Sequence, residues 1–237
     1  MTKIEATYID HMGTDLSIVN AARVSFGKKS EWTCCRIDEG GGTVCTGECM
    51  GGDYERPQLS EGDEKLIKYL AKHGHLSPFG HAFASFHVKA PVFVARQLVK
   101  HKFLRWNEIS RRYVSDAPEF YTPDVWRGKS ADKKQGSEGV CQPPLWIDST
   151  MNQVLDLYDQ MIHDGVAPEQ ARMVLPQSMM TEWYWSGSLD ALADMCRLRT
   201  PTDTQAETRE VAWQIYHHME ELFPVSWDAL MEDPTDD

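Results

Sequence analysis

The sequence predicts an α+β fold, in which helices and strands are mixed along the chain, on three observations. Short stretches at 3–9, 82–89 and 181–185 alternate apolar and polar residues or are rich in aromatic residues, as β-strands are. Two longer stretches, 149–163 and 204–223, repeat apolar residues at helical spacing. Helices and strands do not alternate regularly, which argues against a doubly wound sheet.

The N-terminal part is predicted to form a strand, a helix and a loop insertion. The strand at 3–9 is followed by a turn at His11–Gly13, and Thr14 or Asp15 caps a helix that ends near Val24. Residues 28–58 contain runs of glycine, four cysteines and few large apolar side chains, which predicts a Gly/Cys-rich loop. The spacing CC-x9-C-x3-C lacks the paired knuckles of zinc sites, so we predict no metal, with zinc as the alternative.

The middle of the chain is predicted to hold a helix, a strand and a second helix. Ser60 caps a helix that Gly74 ends, and its apolar stripe consists of Leu66, Ile67 and Leu70. A polar turn at 75–81 precedes the strand at 82–89. Pro91 suits the first turn of a helix that reaches His101, with an apolar face of Val92, Phe93, Leu98 and Val99. We expect a loop over 103–113.

The C-terminal part is predicted to be mainly helical. Residues 118–145 contain several prolines and glycines and predict a long loop. Helices are then expected from Ser149 to His163, over 168–175, from Ser188 to Leu198 and from Thr204 to Phe223, with an acidic tail at 232–237.

A cluster of cations stands out in this acidic chain. The net charge is −12, yet Lys89–Tyr113 holds seven Lys or Arg residues and a single acid, Glu108. Like charges repel one another, so such a cluster favours an anionic ligand, and the interleaved polar and aromatic residues favour a phosphorylated ring. A pI near 5.2 argues against a nucleic-acid polymer as partner.

Several classes of protein are excluded by the absence of their motifs. The sequence contains no GxGxxG, P-loop or GxSxG pattern. No apolar run approaches the roughly 18 residues of a membrane span, and the N-terminus lacks the apolar core of a signal peptide. We therefore expect a cytoplasmic protein that does not bind membranes.

Six ordered blocks of sequence resemble the flavin-dependent thymidylate synthases, the ThyX family. The signature block is NEISRRY (107–113), preceded by the basic triplet Lys100-His101-Lys102. The other five are AARVSFG (21–27), HLSPFGH (75–81), APVFVARQLV (90–99), ARMVLP (171–176) and RTPTDTQAETRE (199–210). The segments at 28–58 and 124–145 fall outside the resemblance.

The resemblance implies an enzyme that methylates dUMP to dTMP. Methylenetetrahydrofolate would supply the carbon, FAD would carry the hydride and NADPH would supply it, with no cysteine nucleophile. It also implies a single domain over residues 1–237, with a small sheet packed by long helices, assembled as a homotetramer whose sites are shared between subunits.

The resemblance assigns roles to individual residues of this chain. Arg199 and His101 match catalytic positions. The positions that match dUMP-binding residues are Gln97, Glu108, Ser110, Arg111, Arg112, Arg172 and Arg199. The positions that match FAD-contacting residues are Ser25, His75, Ser77, Lys100, His101, Lys102, Asn107, Ser188 and Leu198.

Departures from the family pattern concentrate at the FAD positions. Lysines replace both arginines of the basic triplet, Gly80 replaces a glutamate, and Arg105 replaces a small serine. Acids stand at three further positions, namely Asp190, Asp194 and Asp203. Two alternatives therefore remain, a C5 hydroxymethylase acting on dUMP or dCMP, and a nucleotide-binding homologue that has lost flavin chemistry.

Overall fold

The computed structural model describes residues 2–37, 43–46, 58–113, 117–131, 136–143 and 145–232. The chain divides into two compact units, each assembled from segments that are distant in sequence. The first unit comprises Met1–Ile9, Ser85–Ser186 and Met195–Ile215, and the second comprises Asp10–Ala84, Gly187–Asp194 and Tyr216–Asp237. The single domain over residues 1–237 stays a prediction.

The elements confirm a fold of mixed helix and sheet. In chain order, the strands are β1 (Glu5–Met12), β2 (Cys34–Ile37), β3 (Thr43–Thr46), β4 (Phe83–Pro91), β5 (Leu104–Glu108), β6 (Arg127–Lys129), β7 (Ser137–Val140) and β8 (Met180–Ser188). The helices are α1 (Asp15–Arg23), α2 (Glu61–Lys72), α3 (Val92–Leu98), α4 (Ile147–His163), α5 (Pro168–Ala171), α6 (Leu189–Arg199), α7 (Ala206–Leu222) and α8 (Pro224–Met231). Among these described helices, none is long and apolar enough to cross a membrane.

A four-stranded sheet with the strand order β1-β4-β8-β5 provides the frame of the first unit. Burial alternates along β4, so every second residue from Ala84 to Ala90 is buried and the residues between are only half-buried. Trp183 and Trp185 of β8 are also buried, together with the apolar residues Val94, Ala95 and Leu98 of α3. Burying such large side chains is the main stabilising contribution to this core.

The core of the second unit is formed where α1, α2 and α8 pack together. Ile18, Ile67 and Trp227 are each fully buried there. Ser60 caps α2 as predicted, because its Oγ accepts a hydrogen bond from the Asp63 amide at 3.2 Å.

The loop predictions were wrong at several places where strands form. β1 continues through the turn predicted at His11–Gly13, and the chain turns at Gly13, which has a φ of +88°. The Gly/Cys-rich segment 28–58 contains the antiparallel hairpin β2–β3, although 38–42 and 47–57 lie outside the described residues. Three further strands had no signal in the sequence, β5 within 103–113 and the two strands of the hairpin β6–β7 within 118–145.

Two helix predictions also need correction. α3 ends at Leu98 rather than at His101, and it buries Val94 and Ala95, whereas Val99 is exposed. The helix α8, which begins at Pro224, was not predicted. Of the predicted acidic tail at 232–237, residues 233–237 lie outside the described residues.

Candidate functional site

The first unit contains an open cavity with a volume of about 710 Å³. It lies between residues of α3, the end of α6, the start of α7 and the β6–β7 hairpin. Its lining residues are Phe93, Gln97, Lys100, Tyr121, Pro123, Val125, Trp126, Arg127, Gly136, Ser137, Ser178, Arg199, Gln205 and Glu207. The lining therefore combines cations, amides, hydroxyl groups and aromatic rings, which suits a polar aromatic ligand that carries negative charge.

Two of the cavity's cations have no carboxylate partner within the described part of the chain. Arg199 donates a hydrogen bond to a neutral group, and Lys100 makes no ion pair there. The third cation, Arg127, is paired with Glu207. Unpaired positive charge at a partly enclosed site attracts anions, so Lys100 and Arg199 give this cavity two groups that favour a negatively charged ligand.

The two residues predicted to be catalytic, Arg199 and His101, are in direct contact. Arg199 Nε donates a hydrogen bond to His101 Nε2 at 3.0 Å. The accepting nitrogen therefore carries no proton, and the ring holds its proton on Nδ1. The imidazole ring also meets Trp185 edge to face, with ring centroids 6.4 Å apart. Burial lowers the pKa of Arg199, which remains a cation at neutral pH.

Gln97 lies at the end of α3 and its side-chain amide is fixed on both sides. Its Oε1 accepts a hydrogen bond from Thr208 Oγ1 at 3.0 Å, and its Nε2 donates to Gln205 Oε1. Tyr121 lies on another wall of the cavity, where burial and the negative charge of Glu207 raise its pKa to about 12. Its hydroxyl group is therefore protonated at neutral pH and can donate a hydrogen bond.

The second unit contains a separate cavity of about 540 Å³. Three of the nine residues predicted to contact FAD line it, namely Ser25, His75 and Ser77. The ring of His75 stacks on Tyr69, with centroids 6.2 Å apart and an angle of 16° between the planes. Lys28 lines the same cavity and has no ion pair among the described residues, so the wall offers hydroxyl groups, rings and a cation.

Arg23 also lines the second cavity, and an acid fixes its position. Arg23 Nη2 lies 2.5 Å from Asp63 Oδ1, and Ser30 and Ser60 each donate a hydrogen bond to the same carboxylate. Burial alone would raise the pKa of Asp63. The hydrogen bonds from Ser60, Arg23 and Ser30 outweigh burial and hold this pKa below its ordinary value.

Most of the predicted dUMP residues do not line the cavity of the first unit. Glu108 accepts hydrogen bonds from Thr181 at 2.6 Å and from Trp106 at 3.2 Å. Ser110 Oγ accepts one from Arg112 Nε at 3.2 Å, and the Arg112 guanidinium lies 5.1 Å from the ring centroid of Tyr113. Arg111 is half-buried on the same turn.

Arg172 and the remaining predicted FAD residues are dispersed along the chain. Arg172 is exposed and donates a hydrogen bond to the Glu169 carbonyl at 3.3 Å. Besides His101, which contacts Arg199, four of the remaining FAD residues line neither cavity. These are Lys102 and Asn107, which are exposed, Ser188 at the end of β8, which is half-buried, and Leu198 on α6, which is exposed.

The cationic cluster at Lys89–Tyr113 is not one continuous binding surface. Lys89 pairs with Glu119 at 2.9 Å and with Glu182 at 3.6 Å, so its charge is neutralised within the protein. These carboxylates also raise the pKa of Lys89. The cations available to a ligand at the cavity are therefore Lys100, from this cluster, and Arg199, from a different element.

Sequence reasoning missed several residues that line the cavities. Gln205 and Glu207 stand inside the quoted block at 199–210, and Arg23 stands inside the block at 21–27, so the blocks themselves were the available signal. Arg127 and Ser137 lie in the segment outside the resemblance, where the sequence offered none.

Two cysteines have side chains that the structure describes, Cys141 and Cys196. Burial raises the pKa of Cys196, so its reactive thiolate is disfavoured. Cys141 is a free thiol on the surface. Within the described residues, no group of three or more His, Cys, Asp or Glu side chains could hold a metal ion.

Comparison with protein families gives one match that spans most of the chain. The family model described as "Thymidylate synthase complementing protein" (Thy1) matches residues 7–225. A flavin-dependent thymidylate synthase of Thermus thermophilus is 37% identical over 227 residues, which cover 94% of this chain and 74% of the relative. One of Thermosipho africanus is 34% identical over 230 residues, covering 94% and 89%.

Comparison with solved structures identifies a similar fold. A UMP/dUMP methylase of Streptomyces cacaoi, PolB, bound with 5-bromo-dUMP, has a TM-score of 0.74 and 27% identity over 96% of this chain and 94% of that chain. A second structure of the methylase, bound with 5-bromo-UMP, has a TM-score of 0.73 and 25% identity over 98% and 95%.

Proposed function

The chain belongs to the Thy1 family of thymidylate synthase complementing proteins, and on that premise we propose that it is a flavin-dependent thymidylate synthase. The reaction converts dUMP, methylenetetrahydrofolate, NADPH and a proton into dTMP, tetrahydrofolate and NADP⁺. The observation that carries the proposal is the cavity of the first unit, where Lys100 and Arg199 present positive charge without a carboxylate partner.

In this proposal dUMP occupies the cavity of the first unit. The Gln97 amide and the Arg199 guanidinium bind the polar edge of the uracil ring, where Arg199 stabilises negative charge that develops on the ring. Lys100 adds positive charge, and Tyr121 offers a protonated hydroxyl group to the wall of the same cavity. His101 holds the Arg199 guanidinium in position through the hydrogen bond at 3.0 Å.

The second cavity suits part of a flavin dinucleotide. The hydroxyl groups of Ser25 and Ser77 and the cation of Lys28 fit phosphate, and the stacked rings of His75 and Tyr69 fit an aromatic group. Bound FAD supplies the hydride that brings the transferred carbon to the level of a methyl group. The protein's own residues bind and orient the reactants.

A shared site accounts for the predicted dUMP residues that do not line the cavity. Glu108, Ser110, Arg112 and Arg172 would complete the nucleotide site of another copy in a homotetramer. Exposed apolar side chains support such an assembly, because Trp146 is 68% exposed and Leu157 of α4 is 50% exposed.

The experiment is a turnover assay on the purified protein, with and without oxygen. The protein is incubated with dUMP, FAD, NADPH and methylenetetrahydrofolate, and the nucleotide product is identified by mass spectrometry. We expect dTMP and a flavin absorbance that dUMP and methylenetetrahydrofolate restore after reduction. A hydroxymethyl product would show the alternative C5 hydroxymethylase, and dUMP binding without any flavin response would show a homologue that has lost flavin chemistry.

Arg199→Ala tests the placement of the nucleotide. Removing a charged hydrogen bond at a partly enclosed site is expected to weaken dUMP binding by about 10- to 100-fold, measured by calorimetry. The matched control is Arg197→Ala, an exposed arginine of the same helix that does not line the cavity. Equal dUMP affinity in the wild type and Arg199→Ala would show that the nucleotide binds elsewhere.

Methylation of the ribonucleotide UMP is a second candidate. The similarity to the Streptomyces cacaoi methylase favours it, because structures of that protein hold 5-bromo derivatives of both nucleotides. Competition between dUMP and UMP in one assay compares their kcat/KM values directly. dCMP is included as a third substrate to test the choice of base.

A further inference from the structure

The hairpin β6–β7 forms a wall of the nucleotide cavity that the sequence resemblance did not include. Trp126, Arg127, Gly136 and Ser137 come from this hairpin and its flanks, and all four line the cavity. The hairpin approaches the chain after α6 closely, since a Cβ on Gly136 would lie 2.9 Å from the Asp203 carbonyl oxygen.

A buried acid holds this hairpin in place. Glu207 of α7 is only 6% exposed, and its carboxylate pairs with Arg127 Nη2. Arg127 also donates from Nε to Ser137 Oγ at 2.8 Å, so the guanidinium joins both strands of the hairpin to α7. The pair places the positive charge of Arg127 against the buried Glu207 carboxylate, and breaking such a pair by removing one partner is costly.

The same carboxylate begins a chain of hydrogen bonds that ends at Gln97. Gln205 Nε2 lies 3.4 Å from Glu207 Oε2, and Gln97 Nε2 donates to Gln205 Oε1. On its other side, Gln97 Oε1 accepts a hydrogen bond at 3.0 Å from Oγ1 of Thr208, which is fully buried.

The direction of this chain follows from the chemistry of its first member. An ionised carboxylate can only accept, so Gln205 must present its NH₂ group to Glu207 and its carbonyl oxygen to Gln97. Gln97 must then present its NH₂ group to Gln205 and its carbonyl oxygen to Thr208. Gln97 retains one N–H donor and one lone pair for a ligand. Glu207 sets their orientation through Gln205, which lies between the two residues in the chain of hydrogen bonds.

We propose that Glu207 is a positioning residue of the nucleotide site, which fixes the hairpin through Arg127 and orients the amide of Gln97 through Gln205. The proposal rests on the proposed function, in which Gln97 binds dUMP. In this proposal Glu207, although it lines the cavity, acts on the nucleotide through these residues.

The test is a double-mutant cycle between Glu207 and Gln97. In Glu207→Gln the new amide can donate or accept, so it no longer fixes the direction of the chain, and we expect the Kd for dUMP to rise about 10-fold. Gln97→Ala weakens binding as well. Because Glu207 acts on Gln97 and also on the hairpin, adding Glu207→Gln to Gln97→Ala is expected to raise the Kd by clearly less than Glu207→Gln does in the wild type, and the increase that remains is the contribution of the hairpin.

The effect of Glu207 on the hairpin, through Arg127, is measured by amide hydrogen exchange over residues 127–140. We expect faster exchange in Glu207→Gln than in the wild type. The matched control is Glu221→Gln, which makes the same change at an exposed position of the same helix. Additive effects in the cycle, or unchanged exchange in the hairpin, overturns the proposal.

Two further results keep the outcomes distinct. If Gln97→Ala binds dUMP as the wild type does, the assignment of Gln97 under the proposed function is wrong, whatever Glu207 does. If Glu207→Gln does not fold, as judged by circular dichroism, Gln205→Leu replaces it in the cycle. This variant interrupts the chain but leaves the pair of Arg127 and Glu207, and additivity with Gln97→Ala then overturns the proposal.

Discussion

At the scale of single residues, the contact between Arg199 and His101 joins two parts of the chain at the cavity. The guanidinium donates to an imidazole nitrogen at 3.0 Å, which a protonated ring could not accept. The hydrogen bond fixes how the guanidinium and the imidazole ring are oriented toward each other.

Asp63 shows how one buried carboxylate connects stability to pH. Three side chains donate hydrogen bonds to it and hold its pKa below the ordinary value, so it contributes stability above the unfolded pKa of about 3.9. That contribution is lost as the pH falls through the lower, folded pKa. The second unit, which contains Arg23, Ser30 and Ser60, is then expected to lose stability in acid.

Asp63→Asn tests this at two pH values. We expect the free energy of unfolding to fall by about 1–3 kcal/mol at neutral pH, because Arg23 loses its partner. The difference from the wild type should shrink as the pH falls from about 4, where the unfolded carboxylate takes up its proton, through the lower pKa of the folded carboxylate. Urea unfolding measures the free energy of unfolding at both pH values, with the exposed Asp228→Asn as control. A difference between variant and wild type that is constant with pH would contradict the role of the ionised Asp63 carboxylate.

At the scale of elements, the hairpin β6–β7 depends on two glycines in different ways. Gly136 and Gly139 both have positive φ, +87° and +64°, a conformation that other residues adopt at a cost. A Cβ at Gly136 would also meet the Asp203 carbonyl oxygen at 2.9 Å, whereas at Gly139 no atom lies within 4 Å. A substitution at Gly139 therefore tests backbone strain alone, whereas one at Gly136 tests backbone strain together with the close approach to Asp203.

Gly136→Ala is expected to loosen the hairpin more than Gly139→Ala does. The change at Gly139 destabilises the hairpin through backbone strain by about 1 kcal/mol. The change at Gly136 also brings the new Cβ too close to the backbone, which must move, and the total destabilisation is about 1–3 kcal/mol. Hydrogen exchange over 127–140 and dUMP affinity measure the effect. Equal effects of the two variants would show that the approach to Asp203 does not hold the hairpin.

At the scale of the whole molecule, the residues predicted to bind dUMP form two groups. Gln97 and Arg199 line the cavity, whereas Arg112 and Arg172 do not. A phosphorylated ring needs contacts from both groups if the predicted residues are right. A homotetramer with shared sites satisfies that need, because one copy can supply the second group to the cavity of another.

Mixing two inactive variants tests the shared site. Arg112→Ala and Arg199→Ala are each expected to lose most activity alone, but subunits unfolded and refolded together should form some intact sites. With random assembly in equal amounts and two subunits per site, about a quarter of the sites would receive both arginines. Native mass spectrometry checks the assembly, and the absence of recovered activity in mixed tetramers would place both residues in one subunit's site.

The sequence by itself determined the elements whose signals are local, and the family. The alternation of β4, the Ser60 cap of α2 and the apolar spacing of α7 each arise from neighbouring residues, so they were visible in the sequence. The six blocks were also sufficient to identify the family, since each holds a pattern of several fixed residues.

The tertiary structure decided which residues meet, because those contacts join residues far apart in the chain. Arg127 and Glu207 are separated by 80 positions, and Gln97 and Thr208 by 111. The short strands of the β6–β7 hairpin are stabilised by pairing and by these distant contacts rather than by their own glycine-rich sequence. For the same reason, cations that are clustered in the sequence have different surroundings in the structure. Lys89 is paired with carboxylates, whereas Lys100 lines the cavity.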